Sequence, residues 1–84
     1  MLDYVLTKHA ETVIKERGIR LDWLERILQD PALQMVDSSD PELKHAIGPV
    51  VENEDRILRV VYNDRVKPLR IITAYFDRTL RNKL

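Results

Sequence analysis

Eighty-four residues are enough for one small hydrophobic core and too few for two, so the chain reads as one domain over 1–84. A 44% hydrophobic and 33% charged composition is that of an ordinary soluble globular protein, and the fourteen Lys/Arg cancel the fourteen Asp/Glu, so net charge argues neither for nor against nucleic acid. The absence of cysteine excludes a disulfide frame, a thiolate metal site and a cysteine nucleophile, and no apolar run is long enough for a membrane span or a signal-peptide core, which leaves a cytoplasmic protein as the expectation.

The chain opens with a short extended stretch, Leu2–Leu6, and then Thr7, a good helix N-cap. From Lys8 to Arg17 the apolar positions Ala10, Val13 and Ile14 recur at helical spacing. Gly18 ends this helix by taking the left-handed conformation cheaply, and Ile19 is placed to touch Ile14 in a Schellman ending. A second helix is predicted over Asp22–Gln29, with Leu24, Ile27 and Leu28 as its stripe and Pro31 as its stop. The period then changes. Ala32–Val36 can form a short strand, and Asp37 to Pro41 is turn chemistry. Leu43–Val51, Ile57–Tyr62 and Leu69–Phe76 are rich in β-branched and aromatic residues and read as strands joined by short links. The expected fold is α+β, with two N-terminal helices packed on one face of a three- to four-stranded antiparallel sheet.

Charge is uneven along the chain. Residues 1–42 hold five Lys/Arg against nine Asp/Glu, and residues 43–84 hold nine against five. An anionic partner for the second half explains this, and so does attraction between acidic helices and basic strands.

The chain has no glycine-rich phosphate loop, no HExxH and no paired-cysteine zinc pattern. Among its polar residues His9, in the first turn of helix 1, can act as general acid or base, or can pack half-buried on the sheet. Arg17 closes that helix and can bond its free carbonyls or a phosphate. Lys44 and His45 begin a strand, where they can stabilise a phosphorane and move a proton or simply be a solvated strand end. Arg59 and Arg70 each interrupt an apolar strand and want partners. Either they form a cationic spot suited to phosphate, or they are bridged across strands, Arg59 to Glu52 or Asp55 for instance. Thr73 and Tyr75 alternate onto the face opposite Arg70, so a site holding Arg70 with Thr73 requires a bulge or a position at the sheet edge.

Two stretches carry a family likeness. One is Leu6-Thr7-Lys8-His9-Ala10 followed by Glu16-Arg17-Gly18-Ile19, and the other is Ile57–Tyr62 followed by Arg70-Ile71-Ile72-Thr73-Ala74-Tyr75, with Asp30-Pro31 between. Their order resembles a bacterial family of small proteins described as a domain of unknown function, with a HAxxxxxERGI opening and an IITxY strand. The layout is also similar to BrnT toxins and, through them, to the RelE/ParE-like toxin fold. The resemblance covers roughly residues 4–78 and implies a metal-independent endoribonuclease toxin without a cofactor. Its partners would be RNA, free or on the ribosome, and a cognate antitoxin protein. Position by position the resemblance implies His9, Arg17 and Thr73, with the second-strand polar position at Lys44 or His45. With Arg59, Arg70 and Tyr75 added from the strands themselves, the expected site has His9, Lys44 and Thr73 as catalytic and Arg17, His45, Arg59, Arg70 and Tyr75 as substrate-binding. A zero net charge departs from the basic RelE pattern. The alternative is a non-catalytic protein-interaction module of the same fold.

Overall fold

A computed structural model describes residues 3–80. In chain order the elements are β1 (Tyr4–Leu6), α1 (Lys8–Glu16), α2 (Leu21–Gln29), β2 (Leu33–Val36), β3 (Lys44–Val50), β4 (Arg56–Asn63) and β5 (Leu69–Phe76). Short 3₁₀ turns occupy Val51–Asn53 and Arg78–Leu80. Leu2, part of the opening extended stretch, lies outside the described residues, as do Arg81 and Lys83, two of the bases of the second half.

Local chemistry sets the helix ends. The Thr7 side chain accepts from the Ala10 amide at 3.1 Å, which caps α1. At the other end Gly18 has φ +65, the Ile19 amide bonds Ile14 O at 3.0 Å, and the Gly18 amide bonds Lys15 O at 3.3 Å. This is the expected Schellman closure. No side chain caps the start of α2, where Asp22 supplies the first-turn negative charge that the helix dipole favours.

The sheet differs from the expectation in two ways. It has five strands, in the order β1-β5-β4-β3-β2, and it is mixed. The β2–β3–β4–β5 meander is antiparallel, but β1 pairs parallel with β5, Tyr4 opposite Leu69 and Leu6 opposite Ile71. Three residues are too few to show strand alternation. Returning the chain beside its own start closes the sheet on this second side.

Both helices pack on one face. Ala10, Ile14, Ile19, Leu24 and Ile27 meet Ala46, Val50, Leu58, Val60, Tyr62, Ile71 and Ala74 in one buried cluster. Leu58 and Val60 are wholly buried there, so the intervening Arg59 and Val61 point to the other face. Helix α2 lies close over β3 at Gly48, where an added Cβ would be 2.8 Å from Ile27 Cδ1. The obstacle is a side-chain end rather than backbone. Gly48→Ala is expected to cost about 1–2 kcal/mol by overpacking. In an Ile27→Val background, which lacks that methyl, the same change costs less; urea unfolding of the four variants measures the non-additivity.

Candidate functional site

Helix α1 is anchored to β5 through one residue. The Thr7 amide donates to Ile71 O at 3.1 Å and its hydroxyl donates to Ile72 O at 3.2 Å. The same oxygen caps α1, so the first turn is fixed over the middle of β5. There His9 Nε2 lies 3.3 Å from Thr73 Oγ1. That is a long hydrogen bond, and the His9 tautomer decides which group donates. At the other end of α1, Arg17 Nη1 donates to Ala74 O at 2.7 Å. Residues of the opening motif thus bond successive residues of the closing strand: Thr7 to Ile71 and Ile72, His9 to Thr73, and Arg17 to Ala74. The Arg17 side chain bonds a strand carbonyl rather than the free carbonyls of its own helix. His9 is exposed rather than half-buried against the sheet.

The register of β4 and β5 corrects the placement of Arg70. Val61 pairs with Thr73 but its neighbour Tyr62 pairs with Ile71, so Ile72 is an extra, bulged residue. Arg70 opposite Asn63, Thr73 opposite Val61 and Tyr75 opposite Arg59 therefore all lie on the face away from the helices. Strict alternation separates Arg70 from Thr73; the bulge reunites them. Arg70 is exposed and has no ion-pair partner among the described residues. The centre at β5 thus holds an imidazole, a hydroxyl, a guanidinium and a phenol on accessible surface.

Three expected site residues are engaged in other contacts, Lys44 on the helix side and His45 and Arg59 on the same face as Thr73 and Tyr75. Lys44 pairs with Tyr62 in the β3–β4 register and so points to the helix side, whereas His45 points to the opposite side. Lys44 Nζ is 2.9 Å from Asp64 Oδ2, and this contact raises the lysine's pKa. His45 is buried, and both ring nitrogens are engaged. Arg59 Nη1 lies 2.8 Å from Nδ1, and Asp37 Oδ1 lies 2.7 Å from Nε2. An arginine can only donate, so Nδ1 accepts and Nε2–H donates to Asp37. Neither nitrogen remains for a substrate. Arg59 also binds Asp77, at 2.8 Å from Nη2 and 3.0 Å from Nε. The cross-strand bridge is thus real but its partner is Asp77; Glu52 instead takes Arg26 at 2.8 Å. Lys44, His45 and Arg59 are thus each engaged in contacts within the fold.

Asp37 and Asp77 are the residues that sequence reasoning passed over. Each directly follows a strand, β2 or β5, and that position was the available signal. Both carboxyls are held below their ordinary range. For Asp37 the main cause is the His45 hydrogen bond, followed by the Ser39 and Asp40 amides. For Asp77 it is the Thr79 hydroxyl, with the Thr79 amide and Arg59 adding to it. A depressed folded-state pKa gives stability that is full above the unfolded value, near 4, and lost as pH falls through the folded value. Thermal melts are expected to be flat from about pH 7 to 5 and to fall below about pH 4. An Asp37→Asn/Asp77→Asn variant should begin lower at pH 7 and lose less on acidification.

Among the described residues no group of three His, Asp or Glu side chains is placed to hold a metal ion, and no helix is long and apolar enough to cross a membrane. Residues 6–76 match the family described as a domain of unknown function, DUF4258, and the chain belongs to that family. Neither the curated proteins nor the solved structures contain a match.

Proposed function

We propose that this DUF4258 domain is a toxin-like RNA endonuclease, akin to BrnT and RelE, that cleaves RNA without a metal ion. The observation that supports this reading is the meeting of His9 and Thr73 at 3.3 Å, on the open side of a strand that also presents Arg70 and Tyr75. In the proposed step His9 takes the proton of a ribose 2′-hydroxyl. The 2′-oxygen bonds the adjacent phosphorus, the bond to the next nucleotide's 5′-oxygen breaks, that oxygen takes a proton from water as it leaves, and His9 returns its proton to solvent. The products are a 2′,3′-cyclic phosphate and a 5′-hydroxyl. DNA lacks the attacking group and is not a substrate. Thr73 orients the imidazole. Arg70, and the guanidinium donors of Arg17 not used by Ala74, stabilise the charge gathering on phosphorus. Tyr75 offers an aromatic surface to a base.

A second reading, a non-catalytic interaction module, is favoured by the engagement of Lys44, Arg59 and Arg17 in internal contacts. In either reading a partner such as an antitoxin has an edge to extend, because β2 is one of the two edge strands and leaves Met35 and Val36 exposed. The test is incubation of the purified chain with mixed RNA in EDTA, beside His9→Ala and, as a surface control, Lys15→Ala. Cyclic-phosphate ends from the wild type and the control, absent with His9→Ala, support the nuclease. Intact RNA in every lane, on free RNA and on translating ribosomes alike, supports the interaction module.

A further inference from the structure

Beyond the end of β5 the surface opens into a cavity of about 440 Å³, in the size range of small-ligand sites. The Arg56 guanidinium carbon sits 4.5 Å from the centre of the Phe76 ring, and Trp23 meets the same ring edge-on at 6.4 Å. The ring is therefore fixed, and it holds Arg56 by a cation–π contact. Arg78 lines the cavity as well. Neither Arg56 nor Arg78 has an ion-pair partner among the described residues. The cavity carboxylate of Asp77 is already taken by Arg59 and Thr79. That leaves Glu54 as the opposing charge. It sits at φ +57, followed by Asp55 at φ +58, two consecutive non-glycine residues in the left-handed region. Such backbone is costly and gathers at functional sites.

We propose that this cavity is a subsite for one nucleotide of single-stranded RNA, with Arg56 and Arg78 on its phosphate and the base stacked on the Arg56–Phe76 pair. Arginine suits both parts, because its plane stacks while its edge donates. A cavity this large with an aromatic wall exceeds what an isolated phosphate requires. The inference rests on the RNA reading above and deepens it. Phe76 pairs with Leu58 and faces the helices, whereas Thr73, three residues before it, faces away, so an RNA segment that touches both passes round the end of β5. Glu54, whose carboxylate repels the phosphate, limits the affinity.

The test measures anisotropy of a labelled RNA oligonucleotide on the full His9→Ala chain, in which cleavage cannot confuse binding. Arg56→Gln and Arg78→Gln, added singly, are expected to weaken binding about tenfold or more and to flatten its salt dependence. Glu54→Gln is expected to tighten it. Adenosine 5′-monophosphate should compete far better than inorganic phosphate. Binding that is absent, or unchanged in the folded arginine variants, overturns the subsite, as does phosphate competing equally well. The two readings fail separately. If the chain with His9 intact cleaves RNA and its Arg56→Gln and Arg78→Gln variants bind as before, only the subsite is lost. If binding follows these three residues and nothing is cleaved, only the nuclease is lost.

Discussion

His9→Ala is expected to lower RNA cleavage by about 10²–10⁴-fold, the range supplied by general acid–base help from one positioned side chain. The same change should hardly move stability. His9 is exposed, in the first turn of α1, where alanine is a better helix former and a positive charge is disfavoured by the dipole. This separation makes the variant informative: activity lost with an unchanged melting curve places the imidazole in the chemistry. Thr73→Val tests the neighbouring group. It keeps the β-branched shape and removes the hydroxyl 3.3 Å from Nε2. If Thr73 orients His9, the loss is smaller than for His9→Ala and Thr73→Ser restores most of it. Cleavage that survives His9→Ala removes the proposed centre, whatever the fold.

How far the site was legible depends on the element. Helix α1 was readable to within a residue, because Thr7 and Gly18-Ile19 act through bonds between near neighbours in the chain, and these are the bonds observed. Strand β5 was readable because eight residues of suitable type show themselves without a partner. Strand β1 was legible only as an extended stretch, since its role comes from a pairing with residues more than sixty positions away. The bulge at Ile72 left no mark. Two isoleucines carry no turn chemistry, and alternation counted along Arg70–Tyr75 gave the wrong face for Arg70. Sequence proximity also misassigned Arg59, offering Glu52 and Asp55, when the β4–β5 pairing brings Asp77 to it. Lys44 and His45 are adjacent in sequence and on opposite sides of the sheet, the ordinary consequence of a two-residue period.

Arg59→Met is expected to be the most damaging single change outside the apolar core, costing about 3–5 kcal/mol of a total near 5–15 kcal/mol. Burial decides the size. The Arg59 and Asp77 side chains are only 14% and 10% exposed, whereas those of Arg26 and Glu52 are 51% and 47% exposed. The second pair remains bathed in water and is worth about 0–1 kcal/mol. In the first, methionine fills the arginine stem but leaves Asp77 as an uncompensated charge, and it removes the donor that holds His45 Nδ1. A buried ion pair is costly to break and cheap to replace whole. Arg59→Met with Asp77→Asn removes both charges, and the asparagine oxygen can still accept from the Thr79 amide and hydroxyl as Asp77 Oδ1 does. The double variant should therefore recover much of the loss, a positive coupling visible in a urea double-mutant cycle. A single-variant cost below about 1 kcal/mol would mean that water screens this pair like a surface one. Nitrogen shifts of His45 give an independent reading, because Arg59 donates to Nδ1 and Asp37 accepts from Nε2–H. Loss of the guanidinium strips Nδ1 of its donor while Asp37 still accepts from Nε2–H, so the Nδ1 resonance should move more than that of Nε2.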